Sequence, residues 1–307
     1  KEGSTTWWVM MVAHKVLHFA VPTFLLLTAL LLAKSLRRTE KPNWRRFYAR
    51  RLERTVIPYL IWTAIYLVFR LRFVHVPREV APVSIGSFTL PALLVNSSEW
   101  RANLLWGKAW YHLYFLSILI QFSLLTVLLF PLFKRYRFGF GVLALGCLCL
   151  QLGVFWINAV FLYPVLGFST PASSVLWYVS PILLGSWLGF HWEEWESVWK
   201  RHWVQISRVA MVGLILYRSL DIAETQGKEV NSTLYNTGLS AYTTGVGLLL
   251  LKLGGWLTTQ RLGTVLQRIG NWSFPLFLIH PMMLYFTGSP KVHALLLRLP
   301  FPIPTLW

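Results

Sequence analysis

The sequence predicts an all-α membrane protein, a bundle of transmembrane helices, and its composition and its apolar runs both indicate this class. Hydrophobic residues make up 55% of the 307 residues, charged residues make up 13%, and the mean hydropathy is +0.53. Many apolar residues fall in runs close to the roughly 20 residues that a helix needs to cross a bilayer. We predict eight spans, at 9–33, 55–70, 109–133, 138–163, 174–190, 203–220, 233–251 and 270–287.

Two of these runs contain polar or reactive side chains that do not change their assignment. The first contains His14, Lys15 and His18, and no small-residue cleavage site follows it, so we do not interpret it as a signal peptide. The fourth contains both cysteines of the chain, Cys147 and Cys149. Residues two apart on a helix point to different sides, so these two cannot pair with each other and indicate no redox or metal site.

The later part of the chain adds one surface segment and no second domain. Residues 191–203 combine tryptophans with charges, which predicts an amphipathic helix on the cytoplasmic surface of the membrane. Arg208, in the sixth run, lies two turns from that surface and is interpreted as structural. Prolines interrupt residues 293–307, which stay unassigned. No repeat or long linker divides the chain, so we expect residues 1–307 to form one domain.

The distribution of Lys and Arg predicts the orientation. If the eight runs alternate in direction, one face carries seventeen basic residues and the other carries nine in longer stretches. The richer face is predicted to be cytoplasmic, in a multi-pass protein of the plasma (inner) membrane. Basic residues that set the orientation account for most of the formal charge of +18, so the charge does not indicate nucleic-acid binding. This orientation also puts residue 1 outside, which predicts one more span upstream. The seventeen lie in 34–54, 134–137, 191–202 and 252–269.

Four histidines are predicted toward the outer face, and ionisable groups at membrane depth are candidates for function because they are costly there. Neutral imidazole is the usual general base near neutral pH. Since His112 and His280 are predicted at one depth, we take them as candidate catalytic residues. His18 fits a catalytic role and an interfacial role equally, and His14 is interpreted as interfacial.

Structural roles for the same residues remain open at this point. His112 follows Trp110 and Tyr111, and all three fit the aromatic belt of a membrane interface. His280 directly precedes Pro281 and fits a helix cap. If the site is functional, Trp110 and Tyr111 are the candidate substrate-binding residues, and no metal is expected.

A second candidate site lies at the predicted cytoplasmic face, where arginines precede the second span. Arg51 and Arg54 are three residues apart, which places them on one face of a helix that enters the membrane. Their guanidinium groups are therefore predicted to hold one phosphate-bearing ligand, helped by the dipole of the helix N-terminus. Arg37, Arg38 and the other early arginines are interpreted as topology signals.

Four segments carry a resemblance to a known family. Residues 19–36 read FAVPTFLLLTALLLAKSL and residues 47–62 read FYARRLERTVIPYLIW, with two arginines three apart ahead of Pro-Tyr. Residues 109–122 read AWYHLYFLSILIQF and residues 269–283 read IGNWSFPLFLIHPMM. In this order and spacing the chain resembles the acyltransferase-3 family of integral membrane O-acyltransferases.

The resemblance implies a fold, an activity and two ligands. A family member has about ten spans, so the chain is expected to be a fragment that lacks the first span and also the last. The implied reaction moves an acetyl or other short acyl group from cytoplasmic acetyl-CoA, or another acyl-CoA, to a hydroxyl of a glycan or glycolipid at the outer face. The acceptor would be a component such as an envelope polysaccharide. Arg51 and Arg54 match the family's arginine motif and would hold the coenzyme A phosphates.

The chain departs from the family at several positions. Thr28 and Ala29 replace a Ser-Gly pair, and Phe274 replaces a tyrosine. No segment matches the Arg and His of the family's first span, and residues 1–18 look like the external loop that follows that span. The resemblance therefore implies that the general base lies on an upstream span, while His112 and His280 hold or polarise the acceptor.

Two other functions fit the same features. A transporter or flippase for a polar lipid or metabolite would also have buried histidines and arginines at the inner face. We find no paired internal repeat of the kind that transporters tend to have. An inactive, structural relative is expected only if no upstream span exists.

Overall fold

The computed structural model describes residues 15–74, 82–85, 87–167, 170–260 and 263–287. In this part of the chain 83% of the residues are helical, which confirms the all-α class. Two short antiparallel strands pair in register from Pro82 opposite Pro91 to Ile85 opposite Phe88. His14 and the unassigned segment 293–307 lie outside the described residues, as do parts of the first span and of the predicted single domain.

The first half of the chain is built around three long helices. A 3-10 turn, Leu17–Phe19, leads into the first, and a π-helical turn, Leu52–Val56, joins α2 to α3 in one continuous helix. The elements are α1 (Ala20–Leu36), α2 (Trp44–Arg51), α3 (Ile57–Phe73), β1 (Pro82–Ile85), β2 (Phe88–Pro91), α4 (Ala92–Val95), α5 (Ser97–Trp106) and α6 (Tyr114–Arg135).

The second half continues with helices joined by short turns. A second π-helical turn, Asn158–Leu162, joins α7 to α8, and 3-10 turns precede α9 and α10 at Val175–Tyr178 and Trp192–Glu194. The elements are α7 (Phe140–Ile157), α8 (Tyr163–Leu166), α9 (Val179–Phe190), α10 (Trp195–Thr225), α11 (Ser232–Leu257) and α12 (Gly263–Thr287).

A helix covers most of each of the eight predicted spans, but not all of these helices are long and apolar enough to cross a bilayer. Among the described residues four are, namely Leu17–Leu36, Trp44–Phe73, Tyr114–Arg135 and Phe140–Leu166. Val175–Phe190 is apolar but shorter. The number eight therefore stays a prediction.

The separate surface helix predicted for residues 191–203 is wrong. From Trp195 the chain runs as one helix of 31 residues to Thr225, and Trp195 and Val198 are buried in the core. The reason is local, since residues 195–212 contain neither proline nor glycine to end the helix.

The bundle has two chemically distinct ends. At one end the α1–α2 loop meets the C-terminus of α6, since Lys134 Nζ donates to the Thr39 carbonyl at 2.7 Å. We call this the basic end. There Arg37 also pairs with Glu193, and this hydrogen bond holds the pKa of the exposed Glu193 carboxyl below its usual range. We call the other the histidine end, which contains the start of α6 and the C-terminal half of α12.

Close helix packing at two glycines holds α9 against α1. Gly185 and Gly189 lie four apart on α9, the spacing that lets membrane helices approach closely. A Cβ at Gly185 would lie 2.2 Å from the Leu26 carbonyl oxygen, and one at Gly189 would lie 2.3 Å from that of Leu30. Only glycine fits these two positions without a shift of the helix backbones.

Candidate functional site

The histidine end brings the two candidate histidines into contact. His112 lies in the turn before α6, and His280 lies on α12 immediately before Pro281. Their ring centroids are 5.5 Å apart, with the rings inclined at 70°. Phe277 packs against both rings, at 5.1 Å from His112 and 5.9 Å from His280. The two imidazoles and this phenyl ring form one cluster, which we call the histidine pair.

Pro281 sets the orientation of the His280 ring. Proline has no N–H, so the Phe277 carbonyl four residues earlier lacks its usual helical donor. His280 Nδ1 lies 2.8 Å from this carbonyl oxygen. A carbonyl only accepts, so Nδ1 carries a proton and donates, and the lone pair of the neutral ring is on Nε2. No described residue hydrogen-bonds Nε2, which leaves it able to accept a proton or a hydrogen bond.

His112 is more deeply buried and has poorer partners. Its side chain is 4% exposed, and neither ring nitrogen makes a hydrogen bond of normal geometry within the described residues. The backbone of Leu278 interacts with the ring, but the Leu278 carbonyl already accepts a hydrogen bond from the Tyr66 hydroxyl at 2.8 Å. Buried polar groups are normally paired, so an imidazole without a good partner indicates a place for a ligand or a water.

Trp110 and Tyr111, whose ring centroids are 6.3 Å apart, differ in their surroundings. Trp110 stacks on Tyr66 at 5.3 Å, and its indole nitrogen is buried without a partner among the described residues. Tyr111 is 62% exposed, and its ring lies 5.7 Å from His112 and 6.3 Å from His280. Tyr111 is thus positioned to contact a molecule that approaches the histidine pair from outside, whereas Trp110 supports the cluster from within.

His18 belongs to a different part of the bundle. Its Nδ1 is 2.8 Å from the hydroxyl of the buried Tyr217 on α10. Nearby, Lys15 forms an ion pair with the buried Asp221 at 2.6 Å. The structure therefore groups His18 with α10, and brings only His112 and His280 together of the three candidate histidines.

The arginine site differs from the sequence expectation in its helix geometry. Arg51 is the last residue of α2, and the π-helical turn that follows contains Arg54. Hydrogen bonds from residue i to i+5 widen this turn, so a step of three residues no longer returns to one face as it does in an α-helix. Arg51 is half-buried and Arg54 is exposed. The α-helical spacing therefore does not describe this turn, and one ligand shared by both arginines stays a prediction.

Arg51 lines a cavity of about 330 Å³ between the end of α2 and the middle of α6. Ser123 of α6 and Thr55 of the π turn lie in the same walls. The guanidinium carbon of Arg51 is 5.5 Å from the Phe47 ring, and no acidic side chain pairs with it in the part of the chain that the structure describes. A half-buried cation without a counter-ion favours an anionic ligand.

A small apolar cavity adjoins the histidine pair. It has a volume of about 120 Å³, and the rings of Phe24, Phe115, Phe274 and Phe277 line it. Phe277 also contacts His112, so this phenyl ring lies between the cavity and the imidazole rings.

No pattern in the sequence indicated a role for Tyr66. It lies inside an apolar run, and its hydrogen-bond partner Leu278 is 212 residues away. As for metals, no group of three His, Cys, Asp or Glu side chains suited to an ion occurs within the described ranges.

Comparison with known proteins gives a family match over nearly the whole chain. The model of the acyltransferase-3 family, described as an acyltransferase domain, matches residues 2–306. The comparisons with curated proteins and with solved structures gave no match.

Proposed function

The chain belongs to the acyltransferase-3 family, and from this premise we propose that it transfers an acetyl or other short acyl group from acyl-CoA at the basic end to a glycan or glycolipid hydroxyl at the histidine end. Membrane acyltransferase activity follows from the family. The choice of acetyl-CoA as donor, of a glycan acceptor and of a cytoplasmic basic end in the plasma membrane is part of our proposal.

The observation that carries this proposal is the unpaired, half-buried Arg51 beside a cavity between α2 and α6. The phosphates of coenzyme A are the anionic groups that such a guanidinium would bind. Arg54 is exposed three residues further along the same helix and adds positive charge for the same ligand. Both arginines thus keep a donor-binding role in the proposal.

The helix α6 connects the two sites. Ser123 lines the Arg51 cavity, and His112 lies eleven residues earlier in the chain. At 1.5 Å per residue this separation is roughly 16 Å along a helix axis. The extended pantetheine arm of coenzyme A is of suitable length, so the thioester would reach the apolar cavity beside Phe277 while the phosphates stay at Arg51.

The histidine pair would act on the acceptor. His280 Nε2 accepts a hydrogen bond from the acceptor hydroxyl, which makes that oxygen a better nucleophile. The oxygen forms a bond to the thioester carbonyl carbon, the carbon–sulfur bond breaks, and the hydroxyl proton ends on the sulfur of coenzyme A. His112 would hold the same hydroxyl or its neighbour, and Tyr111 would contact the sugar from outside.

The test is transfer of labelled acetyl from acetyl-CoA to membrane glycans in cells that express the intact reading frame. We expect Arg51→Ala to reduce transfer most and Arg54→Ala to reduce it less, because burial strengthens a charge-assisted contact. Arg45→Ala is the matched control, since Arg45 is exposed in the same helix and lines no described cavity.

Two outcomes would contradict the proposal. If the folded wild-type protein transferred no acetyl, transport of a polar lipid or metabolite would become the better hypothesis. If Arg51→Ala and Arg45→Ala behaved alike, the donor would not bind at Arg51.

A further inference from the structure

A larger cavity lies at the histidine end, separate from the histidine pair. Its volume is about 650 Å³, within the range of small-molecule sites. The start of α1, the end of α7, the segment 170–178 and α11 form its walls. Pro22 of α1 faces this cavity, whereas Val21 faces the small cavity beside Phe277, so α1 separates the two.

Three polar side chains in its walls lack partners. Lys108, Asn236 and Ser240 line the cavity, and their side chains make no hydrogen bond or ion pair with the rest of the described chain. Ser240 is 8% exposed, so its hydroxyl faces little besides the cavity. Asn236, Ser240 and Thr243 follow one another at helical spacing and so share one face of α11. The cavity thus offers a cation, an amide and hydroxyls to a ligand.

Aromatic rings form part of the other walls. Trp177 and Phe155 stack at 5.4 Å with an angle of 24° between the rings. Trp177 is fixed by a hydrogen bond from its indole nitrogen to the Pro171 carbonyl at 2.9 Å. A sugar ring has an apolar face of C–H groups and an edge of hydroxyls, and the cavity offers both aromatic rings and an Asn/Ser/Thr face.

Two glutamines hold the wall segment in place. The Gln121 amide donates to the Ser173 carbonyl at 2.8 Å and accepts from the Val175 N–H at 3.0 Å. Gln151 makes a second such pair of bonds further along the chain. Its amide donates to the Leu176 carbonyl and accepts from the Ser180 N–H, both at 3.1 Å. Such bonds fix the wall before a ligand arrives, which lowers the entropy cost of binding.

We propose that this cavity is a subsite for an anionic sugar unit of the acceptor, with its carboxylate or phosphate on Lys108 and its hydroxyls on Asn236 and Ser240. This rests on the proposed function, which supplies a glycan acceptor. Lys108 and His112 belong to the same turn, which Arg70 supports through the Lys108 and Ala109 carbonyls at 3.1 and 3.3 Å. A sugar bound at Lys108 would therefore place a neighbouring unit of the acceptor at the histidine pair.

The experiment measures binding of single sugars to the full-length protein in detergent by saturation-transfer NMR. The probes are glucuronate, glucose 6-phosphate and glucose, so that carboxylate, phosphate and neutral arms are compared. We expect at least one anionic sugar to bind about threefold to tenfold more tightly than glucose, the range for one charge-assisted contact at a partly solvated site. The anionic sugar that binds more tightly shows whether the site prefers a carboxylate or a phosphate.

Two variants separate this site from general charge attraction. Lys108→Gln should reduce the ratio of anionic to neutral affinity to about one, while Lys228→Gln should leave it unchanged because Lys228 is exposed outside the cavity. Asn236→Ala should weaken all the sugars that bind. Equal affinity for all three probes, no binding to the folded protein, or an unchanged ratio in Lys108→Gln would overturn the proposal.

Binding and acetyl transfer fail independently in this design. Anionic sugar binding without acetyl transfer would contradict the proposed function and leave the subsite intact. Transfer without any preference for the anionic probes would contradict the subsite alone.

Discussion

The two histidines of the histidine pair differ in what their ring nitrogens can do. His280 has one nitrogen committed to the Phe277 carbonyl and one without a described partner, whereas His112 has no good partner for either. A ring with a fixed tautomer is pre-organised to accept from a substrate. We therefore assign the direct contact with the acceptor hydroxyl to His280 and a supporting contact to His112.

This assignment makes a specific prediction for His280→Asn. The asparagine amide N–H sits near the position of Nδ1 and can still donate to Phe277, but the acceptor at Nε2 is lost. We expect acetyl transfer to fall about a hundredfold or more, in the range for a lost acid–base group, while the thermal midpoint of the purified protein changes little.

The control for this variant is His202→Asn, at a partly buried histidine of α10 whose ring packs on Phe140. It should retain nearly full transfer. If His280→Asn kept wild-type transfer, His280 would have a structural role, as a residue that satisfies the carbonyl released by Pro281.

Part of this residue-scale arrangement was predictable from the sequence. His112 and His280 were predicted at one depth from the span boundaries, and their rings do lie 5.5 Å apart, although their catalytic role stays a prediction. The residues that pack around them were not predictable. The Tyr66 hydroxyl donates to the Leu278 carbonyl, 212 residues away, and no local pattern encodes that hydrogen bond.

Among the elements, the α2–α3 helix shows where the α-helical repeat of 3.6 residues per turn fails to predict which side chains share a face. The spacing of Arg51 and Arg54 predicted a shared face, but a π-helical turn begins directly after Arg51. No single residue type signals such a turn. The sequence placed the basic cluster ahead of the membrane helix, whereas the helix begins at Trp44 and includes Arg51 and Arg54. The sequence also did not determine how these side chains divide between cavity and solvent.

The contact between α9 and α1 gives an element-scale prediction. Gly189→Ala places a methyl group 2.3 Å from the Leu30 carbonyl oxygen and 2.6 Å from the Ala33 Cβ, so the helices must separate. We expect a loss of about 1–3 kcal/mol in the free energy of unfolding, as for other overpacked cores. Thermal unfolding in detergent, followed by circular dichroism, measures it.

Gly153→Ala is the matched comparison on α7. No atom outside the local helix lies within 4 Å of a Cβ built there. Alanine should stabilise this helix slightly, by up to about 1 kcal/mol, because glycine is the poorer helix former. Equal effects at the two glycines would show that α9 and α1 do not pack as closely as described.

At the scale of the whole molecule, the class was predictable and the number of crossings was not. Composition and apolar runs were sufficient for an all-α membrane bundle, and helices cover most of each predicted run. Crossing also depends on helix length and on polar content, and α9 has only 12 residues while α10 carries Arg208, Arg218 and Asp221. Polar groups paired inside the bundle, such as Asp221 with Lys15, lower mean hydropathy without excluding a membrane location.

The orientation of the bundle gives the last prediction. Seventeen basic residues on one face against nine on the other predict that the basic end is cytoplasmic, which the proposed use of cytoplasmic acyl-CoA requires. In a background with Cys147 and Cys149 replaced by serine, Lys41→Cys and Lys228→Cys place single exposed thiols at the basic end and in the α10–α11 loop. A membrane-impermeant thiol reagent should label Lys228→Cys in intact cells and Lys41→Cys only after permeabilisation. The reverse pattern would put the Arg51 cavity on the outside, where acyl-CoA is not supplied, and so would contradict both the orientation and the proposed donor site.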